Sequence, residues 1–129
     1  MRVVGIGTDA TEIERVVSLY ERHPDSFMTR VFTAREQEYC LAKKRNFGES
    51  LAARWAAKEA VMKALGVGWS NGVTWTDIEV SNLPSGAPTL NITGRAKELA
   101  DALEIVEWRI SLTHTKSVAV AFVVASARE

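Results

Sequence analysis

The stretch from Ser50 to Gly66 constrains the fold more than any other part of the chain, because it is strongly helical and carries its small residues on one side. At about 100° per residue, Ala53, Ala56, Ala57, Ala60 and Ala64 share an arc that presents only methyl groups, so another backbone can approach it closely. The charges lie elsewhere, with Arg54 and Lys58 on one flank and Glu59 and Lys63 on the other. Such a helix packs tightly and still presents a carboxylate beside several cations. That combination suits a metal-bound polyphosphate, in which a carboxylate holds a divalent ion and Lys or Arg neutralises phosphate oxygens. A surface helix laced with neighbouring opposite charges would carry the same residues, and this segment alone does not separate the two.

A chain of 129 residues reads as one domain, residues 1–129, with a real core. Its formal net charge of zero argues against a polyanion or nucleic acid wrapped around the whole molecule. The charge is uneven, however. Between Arg30 and Lys63, the cations Arg30, Arg35, Lys43, Lys44, Arg45, Arg54, Lys58 and Lys63 outnumber the anions Glu36, Glu38, Glu49 and Glu59. A local basic surface in a neutral protein points to a discrete anionic ligand. The single Cys40 excludes an intramolecular disulfide and a cysteine-rich zinc site, and is expected to pack in a helix in a reducing compartment. No apolar run approaches membrane-spanning length and the N-terminus has no signal-peptide layout, so the expectation is a soluble cytoplasmic protein without a membrane partner.

Hydrophobic patterning predicts alternating elements without repeats. Arg2 to Thr8 reads as a strand, and Asp9 or Thr11 as the cap of a helix to about Arg22, ended by His23-Pro24-Asp25. Thr33 to Glu36 is a capping-box pattern starting a helix to about Lys44, with a break at Asn46-Phe47-Gly48. The Ala-rich helix follows, and Gly66 stops it. Asp77 to Val80 and Thr89 to Ile92 read as strands joined across the turn-rich Pro84 to Pro88. Gly94 to Leu103 reads as a short helix. Ile105 to Thr113 and Ser117 to Ser126 should form an antiparallel hairpin, the second strand central and buried through Val118, Val120, Phe122 and Val124. The order predicts an α+β fold with a mainly antiparallel sheet packed with helices.

Two further segments carry chemistry. In the first strand Gly5, Gly7 and Asp9 alternate with Val4, Ile6 and Thr8, so two positions without side chains lead up to a carboxylate. That clearance admits either a ligand or a packed helix. Gly5 to Ala10 also satisfies a relaxed dinucleotide fingerprint, but Asp9 would set a negative charge against the pyrophosphate and no repeated parallel βαβ units follow, so that reading is rejected. The other segment is Ser111-Leu112-Thr113-His114-Thr115-Lys116, where hydroxyl, imidazole and ammonium cluster at a sheet end and suit phosphate binding or proton movement. The chain has two histidines, and His23 is read as structural. A His-rich metal site is therefore excluded, and oxygen ligands favour Mg²⁺.

Taken together, Gly5-Ile6-Gly7-Thr8-Asp9-Ala10-Thr11-Glu12, Arg54-Trp55-Ala56-Ala57-Lys58-Glu59-Ala60 with Lys63-Ala64-Leu65-Gly66-Val67-Gly68, and Ser111-Leu112-Thr113-His114-Thr115 resemble the short, holo-acyl-carrier-protein synthase type of 4′-phosphopantetheinyl transferase. Asp77 to Val80 and Gly86 to Pro88 follow in the family's order, so the resemblance spans nearly the whole chain. It implies transfer of the phosphopantetheine arm of coenzyme A to a serine of an apo acyl carrier protein, with Mg²⁺, releasing 3′,5′-ADP. By this resemblance Asp9, Glu59 and Lys63 are the catalytic residues, with Asp9 and Glu59 as the metal ligands. It likewise assigns Arg45, Arg54, His114 and Thr115 to the nucleotide's phosphates, Pro88 and the Gly86 turn to the adenine, and Gly66 and Gly68 to the pyrophosphate. Arg15, Arg22 and Arg30 would meet the acidic carrier, and relatives of this short type form trimers with active sites between neighbours.

Two positions depart from the family pattern. Trp55 stands where phenylalanine is usual, and His23 to Ser26 is less basic than its counterpart. Two other readings stay open on the residues alone: a Mg²⁺-dependent nucleotide hydrolase using the same carboxylates, and a non-catalytic trimeric binding module that needs neither of them.

Overall fold

The computed structural model describes residues 1–129. The elements run β1 (Arg2–Glu12), α1 (Ile13–Arg22), α2 (Pro24–Val31), α3 (Ala34–Ala42), α4 (Phe47–Leu65), β2 (Ile78–Asn82), β3 (Pro88–Ile92), α5 (Gly94–Ala102), β4 (Ile105–His114) and β5 (Val118–Ala127). Short 3-10 turns at Lys44–Asn46, Trp69–Asn71 and Trp75–Asp77 join them. β1, β5 and β4 form an antiparallel sheet in that order, and β2 pairs with β3 in a separate antiparallel ribbon. The α+β class and the β4–β5 hairpin are as expected.

α4 is the axis of the molecule. On one side it lies against the sheet, where the predicted close approach takes a specific form. A methyl group at Gly7 would overlap the carbonyl oxygen of Ala60, and one at Gly5 would overlap that of Ala64. The glycines of β1 therefore serve helix packing and admit no ligand. On this face Ala121, Val123 and Ala125 of β5 join Ala57, Ala60, Val61 and Ala64 in one core, with α5 and the β2–β3 ribbon closing it. A second core, holding Val16, Phe27, Val31, Phe32, Cys40 and Leu51, fills the space between α1, α2, α3 and the first half of α4. Gly66 ends α4 in the left-handed conformation at φ 71°, as its position predicted.

Several expectations are corrected. β1 continues to Glu12, so Asp9 and Thr11 are strand residues and not helix caps; Glu12 occupies the cap position without a side-chain hydrogen bond. Pairing of Asp9, Thr11 and Glu12 with β5 outweighs their capping preference. His23-Pro24-Asp25 ends one helix and starts another, since Pro24 occupies the first helical position of α2, where its missing N–H is no loss. α3 stops at Ala42, and Asn46 to Gly48 leads straight into α4. β5 is central, but its buried residues are Ala119, Ala121, Val123, Ala125, Ser126 and Ala127, while Phe122 is 47% exposed. Only one face of the three-stranded sheet is covered by helix, and Phe122 lies on the other.

The largest correction concerns charge. Lys58 and Arg54, counted toward a basic surface, are both buried, and so is Glu36. Lys58 Nζ donates to Glu36 Oε1 at 2.8 Å, to the Trp75 carbonyl at 3.0 Å and to the Ile78 carbonyl, so all three of its N–H groups are used. Glu36 also accepts from the Thr33 and Val80 amides, at 3.0 and 2.9 Å, which completes the capping box of α3 and ties it to β2. Burial pushes the Lys58 ammonium below the usual lysine range, with Glu36 opposing that shift.

Gly7→Ala is expected to lower stability by about 3 kcal/mol, the upper range for overpacking a filled contact, in urea denaturation. Gly68→Ala, whose added methyl meets open space at an extended backbone, should change it by less than about 0.5 kcal/mol.

Candidate functional site

Close packing of β1 on α4 brings Asp9 to the helix one strand step beyond Gly7. Its carboxylate is largely shielded; Oδ1 accepts from Lys63 Nζ at 3.2 Å and Oδ2 from the Thr11 hydroxyl at 2.5 Å. Lys63 also donates to the Thr8 carbonyl at 2.9 Å. Glu59, one turn earlier on α4, points to the same place. Its carboxyl is held above the usual carboxylate range, first by burial and then by the negative charge of Asp9; the Trp69 indole N–H, Lys63 and Arg15 act in the opposite direction. Asp9, Glu59 and Lys63 therefore converge as predicted, and Arg15 of α1 lies close enough to be felt there.

A second cluster lies elsewhere along α4, around a cavity of about 220 Å³ lined by Tyr39, Lys43, Arg54, Asn82 and His114, among others. None of Asp9, Glu59 and Lys63 lines it. The Arg54 guanidinium lies over the Tyr39 ring, 4.1 Å from its centroid, and donates from Nη2 to Asn82 Oδ1 at 2.8 Å, while its Nε is buried without a partner. His114 is exposed, its Nδ1 3.1 Å from the Thr115 carbonyl oxygen. Thr115 uses its hydroxyl to close the β4–β5 turn, accepting from the Ser117 and Val118 amides at 3.3 and 3.1 Å. Arg45 is exposed on the turn after Lys44, whose φ of 52° makes that turn sharp, and it stands outside the cavity lining.

The remaining predicted positions are scattered. Pro88 opens β3 beyond the Gly86 turn, where φ is 93°. The Gly66 amide is bonded to the Lys63 carbonyl and that of Gly68 to Asn71 Oδ1, so these glycines offer open space and not free N–H groups. Arg22 is exposed on α1. Arg30 borders a hollow of about 310 Å³ together with Leu19, His23, Phe27, Trp55 and Trp75. Trp55, the departure from the family pattern, is an aromatic packing residue, stacked on Phe27 and tilted on Trp75 with centroids 6.0 and 4.3 Å away. Tyr39, Trp69 and Asn82 escaped the sequence reading. Each reaches its site across a long stretch of chain, and no local spacing marks it.

A pair of repelling carboxylates with a lysine, and a cavity walled by arginine, lysine and histidine, define a protein that handles a phosphorylated ligand. The model of the 4′-phosphopantetheinyl transferase superfamily matches residues 5–123, and the chain belongs to that family. It is 48% identical, over 92% of its length and 89% of the relative's, to a holo-[acyl-carrier-protein] synthase of Gloeobacter violaceus. Among solved structures, a Bacillus anthracis holo-(acyl-carrier-protein) synthase in complex with CoA (3′,5′-ADP) superposes with a TM-score of 0.80 at 34% identity, covering 98% of both chains. A Plasmodium yoelii acyl carrier protein synthase with ADP bound superposes at 0.86 with 28% identity, covering 99% of this chain and 98% of that one. No helix of the chain is long and apolar enough to cross a membrane.

Because the Glu59 pKa is raised on folding, its neutral form is favoured in the folded state, and the resulting stabilisation, full below the ordinary carboxylate range, is lost as pH rises through the raised value. Glu59→Gln should therefore raise the melting temperature of the metal-free protein at neutral pH. This gain should vanish in acid, as calorimetry across pH will read.

Proposed function

We propose that this chain transfers the 4′-phosphopantetheine arm of coenzyme A to a serine hydroxyl of an apo acyl carrier protein, giving holo carrier and 3′,5′-ADP. The observation that carries this reading is the convergence of Asp9, Glu59 and Lys63 at the contact of β1 with α4, in a chain of this family. The serine oxygen attacks the β-phosphorus of coenzyme A; the P–O bond to the leaving 3′,5′-ADP breaks, and the serine proton passes to a base at the site. Lys63, anchored by Thr8 and Asp9, carries the ammonium that would meet the phosphate oxygens. Glu59, whose pKa burial and Asp9 raise, stands beside it as a group that can exchange a proton.

Asp9 and Glu59 also suit Mg²⁺. Their mutual repulsion is part of what raises the Glu59 pKa, and a divalent cation with an oxygen-rich shell relieves it. When bound, the ion supplies charge neutralisation on the attacked and leaving phosphates. Arg54 and His114, in the basic cavity, take the nucleotide's phosphates, with Arg45 and Thr115 nearby in sequence, and the Gly86 to Pro88 turn takes the adenine. Gly66 and Gly68 leave room for the pyrophosphate. Arg15, Arg22 and Arg30 steer the acidic carrier, with Arg15 delivering it beside Glu59.

Neither carboxylate lines the basic cavity of its own chain, which supports a homotrimer whose sites are completed between protomers. The uncovered face of the sheet supports the same assembly: Ile6 is 61% exposed, and Thr8 pairs with Phe122 on a face continued by Ala10 and Val120. The reaction belongs in the cytoplasm, where coenzyme A and the carrier meet.

Incubation with coenzyme A, Mg²⁺ and apo carrier, followed by intact mass, tests the function directly. The wild type should add the phosphopantetheine mass, and a mass unchanged while nucleotide is hydrolysed would favour a hydrolase. Asp9→Ala and Glu59→Ala should each reduce transfer by about a hundredfold or more while keeping the fold, since each removes an anionic ligand rather than a core contact. Sedimentation should show a trimer for the wild type. Phe122→Asp, which sets a charge on the open sheet face, should give monomers without transfer.

A further inference from the structure

Asn82 stands where two parts of the coenzyme A site meet, and no sequence motif marks it. It is the last residue of β2, and both ends of its amide are engaged. Its oxygen accepts from Arg54 Nη2 at 2.8 Å, and its nitrogen donates to the Gly86 carbonyl at 3.0 Å. Arg54 has little else to orient it. Arg54 as a whole is 3% exposed, its guanidinium lies on the Tyr39 ring at 4.1 Å, and its Nε has no partner. An aromatic face holds a guanidinium plane but leaves rotation within that plane free, because the attraction is to the ring's quadrupole and has no directional bond. The direction of the fork is set by the hydrogen bond to Asn82. Through its other end the same amide grips the turn at Gly86, which sits at φ 93° between Leu83 and Pro88.

We infer that Asn82 is a positioning residue: it aims the Arg54 guanidinium into the basic cavity and locks that aim to the Gly86 turn, so that nucleotide phosphate and base are recognised as one unit. This rests on the proposed function, in which Arg54 takes a phosphate of coenzyme A. Asn82 itself need not touch the ligand. Its removal frees Arg54 to rotate and loosens the turn, and both effects fall on nucleotide binding alone.

The test uses 3′,5′-ADP as the probe, with binding measured by calorimetry and without metal or carrier. Asn82→Ala should weaken binding about tenfold, the scale of one hydrogen bond to a charged group. In transfer assays it should raise the KM for coenzyme A by a similar factor and leave the KM for apo carrier within about twofold, a split that a loss of folding would not produce. Arg54→Ala should weaken 3′,5′-ADP binding at least as much, and adding Asn82→Ala to it should cost little more, since the residue acts through Arg54. Unchanged binding in Asn82→Ala or a full additive loss on the Arg54→Ala background would each overturn the assignment. A wild-type protein that binds no 3′,5′-ADP would instead overturn the functional reading, and the inference with it.

Discussion

The contact between β1 and α4 is the constraint on which the rest of the structure depends. Gly5 and Gly7 set the strand backbone against the carbonyls of Ala64 and Ala60, a spacing that any side chain would prevent. Asp9 follows on the same strand face, and Glu59 and Lys63 bracket Ala60 on the helix. The close approach makes a carboxylate on a strand the neighbour of a carboxylate and an ammonium on a helix. It also raises the Glu59 pKa, first by burying the carboxyl and then by holding it beside the negative charge of Asp9. The packing of the strand on the helix and the meeting of these three side chains are therefore one geometric fact.

The far side of α4 is held differently. There a buried Lys58–Glu36 pair joins α3, α4 and β2, and every hydrogen-bonding group of the lysine ammonium is occupied. A buried ion pair adds little net stability over an apolar pair of the same shape. What it does here is satisfy the carbonyls of Trp75 and Ile78, in a stretch where the chain turns from a 3-10 segment into a strand. That in turn fixes where β2 begins, at Ile78. Adjacent residues of one helix thus have different surroundings: Lys58 is consumed by the fold, and Glu59 faces Asp9.

The sheet adds the third element. Its inner face is spent on α4, while its outer face presents Ile6 and Phe122 to solvent. That uncovered apolar face is the part of the sheet that the single chain leaves without a partner.

Much of this was legible in the linear chain, and particular residues show why. The alanine arc from Ala53 to Ala64 and the glycines of β1 reveal themselves through periodicity, because close backbone approach demands small residues at fixed intervals. The capping box at Thr33 and the stop at Gly66 are local and appear in the structure as read. The convergence of Asp9, Glu59 and Lys63 was legible through resemblance to a family whose motifs sit at matching places. Other features were decided only by tertiary structure. β1 runs on to Glu12 because β5 offers it a partner, which overrides the capping preference of Asp9 and Thr11. The charge of Lys58 looked like surface in sequence; it is core because Glu36, far away in the chain, folds over it. Phe122 looked like core, and it is surface because no helix covers its side of the sheet. Local pattern reports what each segment prefers. Burial and partnership depend on which distant segments arrive beside it, and for Lys58, Phe122 and Asn82 only the folded chain decides that.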